Sequence, residues 1–243
     1  MRPKLLILCM AVSMLLNVAL VARVLVHRMR PSVSQHPNYG TINALDGRIY
    51  SERVARFGSL PPADSDVLFV GDSIAGLVET DLRERLLEGD APAAWRGVSI
   101  GERAIPSVTP LGILSAIPKF QSIKAKTIFL WCGTNDLAGT RSIDDIFSTY
   151  RQVVASLQQT HPGTRIVLVS VLPIRWQDTA NARGKELNSK IAQFARSHQM
   201  QFVDLTGDVS DATGRLDESL TWDGVHPLSG ACLKLEIHLA AAI

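Results

Sequence analysis

Along the chain, short apolar runs that end near glycine or proline alternate with longer segments of helical spacing. Val67-Leu68-Phe69-Val70 stops at Gly71, and Thr127-Ile128-Phe129-Leu130-Trp131 stops just before Gly133, so each reads as a short buried strand. Ile166-Val167-Leu168-Val169 with Val171-Leu172 is bounded by Gly163 and Pro173, which predicts a strand covered on both faces. Trp95–Ile100 and Gln201–Leu205 are further strand candidates, and Leu77–Leu87, Val108–Ile117, Asn181–His198 and Leu228–Ala242 read as helices. The best helix signal is Ile143, Ile146, Phe147, Tyr150, Val153, Val154 and Leu157, whose spacings draw one continuous apolar stripe suited to core packing. Strands alternating with helices imply right-handed crossovers and a three-layer α/β/α sandwich around a central parallel sheet.

A different pattern precedes this domain. Between Lys4 and Arg23, the 18 residues Leu5–Ala22 carry no charge. As a helix they would reach about 27 Å, the lower end of what a bilayer core requires. A basic start followed by an apolar run also fits a cleaved secretory signal. The run is longer than the usual signal core, however, and no small-x-small cleavage site precedes Arg23, so residues 1–30 are expected to be an uncleaved signal-anchor, with a buried core helix the last alternative. Residues 31–63 begin rich in Pro, Ser, Gly and Asn and close with Leu60-Pro61-Pro62-Ala63, which reads as a tether with one short helix around Arg48–Phe57. The globular domain is then 64–243. Basic residues on both sides of the run leave the positive-inside rule without a clear vote; the expectation is a globular domain outside the cytoplasm, in the periplasm or at the cell surface, with secretion after signal cleavage as the alternative.

Charge sharpens this division. Lys and Arg number 25 against 23 Asp and Glu, but residues 1–30 hold Arg2, Lys4, Arg23, Arg28 and Arg30 and no acid, leaving the rest at net −3. That balance lacks the clustered cations of a nucleic-acid binder. The three cysteines, Cys9, Cys132 and Cys232, form no zinc spacing and no disulfide framework, although a Cys132–Cys232 bridge stays open. No metal, nucleotide or other cofactor is implied: Gly184-Lys185 is followed by Glu186, not the Ser or Thr of a phosphate-binding loop.

Ligands of an open parallel sheet bind beyond the carboxyl ends of its strands, and four such places here carry matching chemistry. Ser73, in Gly71-Asp72-Ser73, stands on a strand-to-helix turn, where its N–H faces developing negative charge; helix capping explains the tripeptide equally well. Gly101 follows Val98-Ser99-Ile100 and, without a side chain, lets a backbone N–H approach a substrate oxygen. Asn135, in Gly133-Thr134-Asn135-Asp136, offers an amide at the same edge, or a turn cap. Of six histidines only His226 has a carboxylate three residues earlier, Asp223, at a spacing that lets the acid orient the imidazole; Pro227 keeps the histidine on a loop. The other five read as surface or flanking residues. Arg103 and Arg175, after predicted strands, are candidates for an anionic group, and Trp176 and Trp222 for a pocket wall.

Together these blocks resemble the SGNH-hydrolase superfamily, also called the GDSL lipase/esterase family, over nearly all of residues 64–243. The resemblance rests on Gly71-Asp72-Ser73, on Gly133, Asn135 and Asp136, and on Asp223 and His226, in matching order and spacing. The second block departs from the pattern, since Arg96–Gly101 lacks the Asn that many members carry before the glycine. Gly71-Asp72-Ser73-Ile74-Ala75-Gly76 is also one residue too long for the Gly-x-Ser-x-Gly of ordinary α/β-hydrolases. The resemblance implies a flavodoxin-like fold and a serine esterase hydrolysing carboxylic esters of small acyl groups. It makes Ser73 the nucleophile, His226 the general base, Asp223 its orienter, and the N–H groups of Ser73 and Gly101 with the Asn135 side chain the oxyanion hole. The expected partners are a small-molecule or glycan ester and, through the N-terminal run, a membrane. Alternatives are an O-acetyltransferase acting on a cell-envelope glycan and a catalytically silent, membrane-tethered binding protein.

Overall fold

A computed structural model of the chain describes residues 44–60, 63–120 and 123–243. The run Leu5–Ala22 and the first part of the tether lie outside these residues; among the described residues no helix is long and apolar enough to cross a membrane. Strands β1 (Ala63–Gly71), β2 (Ile100–Ala104), β3 (Ile123–Trp131), β4 (Arg165–Val169) and β5 (Gln201–Val203) form one parallel sheet of order β2-β1-β3-β4-β5. The chain steps outward from β1 to β2, then crosses back to β3 on the other side of β1. This reversal opens a crevice beyond the carboxyl ends of β1 and β3.

The helices are α1 (Ala44–Ser59), α2 (Ser73–Glu88), α3 (Pro110–Ala116), α4 (Thr134–Leu137), α5 (Ile143–Thr160), α6 (Asp178–Ser197), α7 (Thr206–Val209) and α8 (Ser229–Leu239). Alternate strand residues point to opposite faces. Leu68, Val70, Ile128, Leu130, Ile166 and Leu168 join a core with Phe57, Ile113, Val153 and Leu187 from α1, α3, α5 and α6. Val67, Phe69, Phe129, Trp131, Val167 and Val169 join another with Ile74, Leu82, Leu235 and Leu239 from α2 and α8. Both faces are covered, which is why the central strands read as unbroken apolar runs. Cys132 belongs to the first core and Cys232 to the second, so the two thiols are buried, free and separated by the sheet.

Three expectations need correction. Trp95–Ile100 is not a strand: Ala93–Trp95 is a 3₁₀ turn that buries Trp95, whose Nε1 donates to the Glu236 carbonyl at 2.9 Å, and β2 starts only at Ile100. The short helix expected within the tether is α1, and it is part of the packed body. Phe57 is buried against Phe120, edge-on at 5.6 Å, and the Tyr50 hydroxyl donates to the Gly112 carbonyl at 3.0 Å. His161 is buried, at the C-terminal cap of α5, where desolvation lowers its pKa.

Candidate active site

Ser73 opens α2 immediately after β1. Asp72 caps the helix by accepting the Ile74 N–H at 3.0 Å, so the Ser73 N–H stands in a first turn that offers it no intrahelical acceptor. The Ser73 Oγ lies 2.9 Å from the Nε2 of His226, 153 residues later in the chain. On the far side of the ring, Nδ1 lies 2.7 Å from Asp223 Oδ2. Burial pushes the Asp223 carboxyl up, but hydrogen bonds from the His226 ring and from the N–H groups of His226 and Val225 outweigh it and hold the group below its ordinary value. An ionised Asp223 only accepts, so Nδ1 carries the proton, and Nε2 presents its lone pair to the Ser73 hydroxyl.

The loop bearing Asp223 and His226 is fastened by its own Thr221 and by groups from the segment at Arg175 and Trp176. Thr221 Oγ1 donates to the His226 carbonyl at 2.8 Å and accepts the Gly224 N–H at 2.9 Å. Trp176 Nε1 donates to the Asp223 carbonyl at 2.8 Å, and the Arg175 N–H to the Gly224 carbonyl at 2.9 Å. Gly224 has φ 83°, and a Cβ there would lie 2.3 Å from the Trp176 ring, so glycine meets both a backbone and a packing requirement. Trp222 stacks on His226, with ring centroids 5.2 Å apart and planes inclined by 11°.

Asn135 sits in α4, just past β3, on the strand end adjoining that of Ser73. Its Nδ2 donates to the Val108 carbonyl at 2.9 Å, which aims the amide and leaves its second N–H for another acceptor. Gly101 does not reach this place. It pairs with Leu68 inside β2, three register positions before the Gly71–Ala104 pair at the sheet edge, about 10 Å away along the strand. A Cβ at Gly101 would lie 2.4 Å from Ile123 Cδ1, so the glycine serves close packing. The edge position belongs to Ala104, whose N–H donates to Glu102 Oε1 at 3.0 Å.

A cavity of about 300 Å³ opens beside Ser73 and His226; Leu77, Pro106 and Trp222 make part of its wall, and Arg53, Glu79 and Glu102 give it charge. Arg53, from α1, approaches Glu102 at 3.3 Å, and Arg83 pairs with the buried Glu79. Asp72 also lines the cavity, and burial raises its carboxyl to about 6. Of the two arginines marked in the sequence, Arg103 is buried with its guanidinium over the Phe57 ring, and Arg175 pairs with Asp211 and Glu218; neither lines this cavity. Arg53, Glu102 and Thr221 carry no local signal of their role. Only the chain's return to the same sheet edge reveals it.

Residues 64–229 match the model of the GDSL-like Lipase/Acylhydrolase family. Among solved structures, a GDSL-like lipase of Bacteroides thetaiotaomicron superposes with a TM-score of 0.62 at 19% identity, covering 79% of this chain and 96% of that one. A carbohydrate esterase family 3 protein of Talaromyces cellulolyticus superposes with a TM-score of 0.55 at 19% identity, over 74% and 95%. These two likenesses concern the fold. Among curated sequences, an N-acylneuraminate cytidylyltransferase of Streptococcus agalactiae serotype V is 26% identical over 119 residues, which is 49% of this chain and 28% of the relative. This chain thus corresponds to little more than a quarter of that protein.

Proposed function

The chain belongs to the GDSL-like Lipase/Acylhydrolase family, and from that premise we propose that it is a carboxylic ester hydrolase in which Ser73, His226 and Asp223 perform acyl transfer in two steps. The observation that carries this reading is the Ser73–His226–Asp223 relay, with contacts of 2.9 and 2.7 Å at the mouth of the cavity. In the first step Nε2 takes the hydroxyl proton as Ser73 Oγ bonds to the ester carbonyl carbon. The carbonyl oxygen gains the negative charge, which the Ser73 N–H and Asn135 Nδ2–H accommodate. On collapse the C–O bond to the alcohol breaks, and the proton passes from Nε2 to the departing oxygen. In the second step Nε2 takes a proton from water, the hydroxide oxygen bonds to the acyl carbon, and Ser73 leaves with the proton restored. Asp223 keeps Nδ1 protonated and stabilises the imidazolium throughout.

The cavity supports small acyl groups on a polar alcohol, a sugar hydroxyl included. Packing a long hydrocarbon chain against Arg53, Glu79 and Glu102 would strip water from charges without replacing its hydrogen bonds. The test is the full-length protein in detergent, treated with a fluorophosphonate and assayed on nitrophenyl acetate and a longer nitrophenyl ester, beside Ser73→Ala. Labelling and turnover lost in Ser73→Ala, with acetate the better substrate, are expected; labelling that survives the substitution rules out Ser73. The uncharged run Leu5–Ala22 supports attachment of the hydrolase to a membrane, and the reading places its body outside the cytoplasm. Release by alkaline carbonate, or protection of the body from protease added to spheroplasts, whose cytoplasmic membrane alone is intact, would contradict this.

A further inference from the structure

Two hydrogen bonds hold the His226 ring, one at each end: Nδ1 at Asp223 and Nε2 at Ser73. Two anchors at opposite ends of a ring define a line and leave the ring free to roll about it, which would swing both lone-pair and N–H directions out of plane. The contact that removes this freedom is Trp222, which lies nearly parallel to the imidazole at 5.2 Å and 11°. That is the geometry of an offset stack. The indole also lines the cavity beside Ser73.

We propose that Trp222 is a positioning residue that fixes the roll of the His226 ring and, through its π face, favours the imidazolium formed when Ser73 attacks. The inference rests on the reading of His226 as the base for Ser73. Before attack the imidazole is neutral and the indole gives it packing alone. As the proton moves from Ser73 Oγ to Nε2, the ring becomes a cation whose face meets the negative face of the indole. An attraction that grows only with the charge lowers the barrier to acylation without tightening ester binding. Its effect therefore belongs in kcat. A residue serving only as pocket wall would instead act on KM.

The full-length protein is assayed on nitrophenyl acetate as wild type, Trp222→Phe, Trp222→Leu and a series with one, two or three fluorines on the tryptophan at position 222 alone. Fluorine withdraws π density with little change of shape, so log kcat is expected to fall stepwise along the series while KM stays level. Trp222→Leu should lose about 10-fold in kcat, within the roughly 2- to 30-fold span of a cation–π contact, and Trp222→Phe should recover much of it. Fluorophosphonate labelling rates should follow the same order. A level kcat across the fluorinated series, or a loss confined to KM, overturns the proposal while leaving the Ser73 relay intact. Turnover that survives Ser73→Ala overturns both readings together.

Discussion

Two carboxylates stand close to His226, and they are held in opposite ways. Asp72, on the turn after β1, is completely buried beside the nucleophile, and burial raises it to about 6. Asp223, on the loop before α8, is partly open to solvent, but three hydrogen bonds to its charged form hold it below its ordinary value. The difference separates architecture from chemistry. Asp72 spends its side chain on the N-terminus of α2, whereas Asp223 is kept ionised against the Nδ1 of His226. Adjacency to the serine in sequence is therefore a poor guide to which acid meets the imidazole.

The widest separation between the two is expected on replacing each by Asn. Asp223→Asn presents a donor or a neutral oxygen to Nδ1, admits the wrong tautomer and should lower kcat by about 10⁴ with the fold intact. Asp72→Asn keeps a good capping side chain and should stay within a few-fold of wild type. If the two variants lost activity equally, the assignment of orienter to Asp223 alone would fail. Next in size is Asn135→Ala, which removes one oxyanion donor and should cost about 10²–10³ in kcat. The alanine also frees the Val108 carbonyl, so a thermal midpoint measured beside the kinetics separates lost stability from lost chemistry.

The meeting of these side chains was legible to different degrees. Ser73, Asp223 and His226 could be read because each announces itself locally: a serine on a strand-to-helix turn, and an acid three residues before a histidine that precedes proline. The strands around Phe69, Phe129 and Val167 were equally plain, since burial on both faces leaves them no polar positions. β2 was misplaced because it is an edge strand containing Glu102 and Arg103, and their usefulness in three dimensions erases its strand pattern. The error carried over to Gly101, which the register sets too deep in the sheet for the oxyanion. Long-range fastenings such as Trp176 to Asp223, and Arg53 to Glu102, have no sequence signal because the partners lie 47 and 49 residues apart.

The same pair of acids also predicts opposite responses of stability to pH. For Asp72 the folded value, about 6, lies above the ordinary 3.8, so folding takes up a proton. Its contribution is fully present below about pH 3.8 and is lost as pH rises through about 6. Asp72→Asn removes that dependence and should gain on wild type by up to about 3 kcal/mol between those limits, as read from denaturant unfolding at successive pH values. For Asp223 the folded value is depressed, so its contribution is present above the ordinary carboxylate value and disappears as the solution is acidified. A gap between Asp72→Asn and wild type that does not widen from pH 4 to pH 7 would mean that Asp72 is not protonated in the folded protein.

The smallest effect tests what holds Asp223 in place. Trp176 donates to the Asp223 carbonyl while its ring packs on Gly224, so it touches the loop's backbone and neither of the reacting groups. Trp176→Phe retains an aromatic ring but drops the N–H, leaving that carbonyl to find water. The expected cost is about 1 kcal/mol of stability, the net worth of one hydrogen bond. Kinetically the loop still carries Thr221, the Arg175 N–H and the carboxylate's own bonds to Val225 and His226, so kcat should fall only a few-fold and KM should not move. Because Trp176 and Trp222 fasten the same loop by different means, one through the backbone and one through the imidazole face, the double variant reports whether they act independently. Additive losses in log kcat would mean that they do. A double variant no worse than Trp222→Leu alone would mean that the indole of Trp176 matters only while Trp222 keeps the ring from rolling.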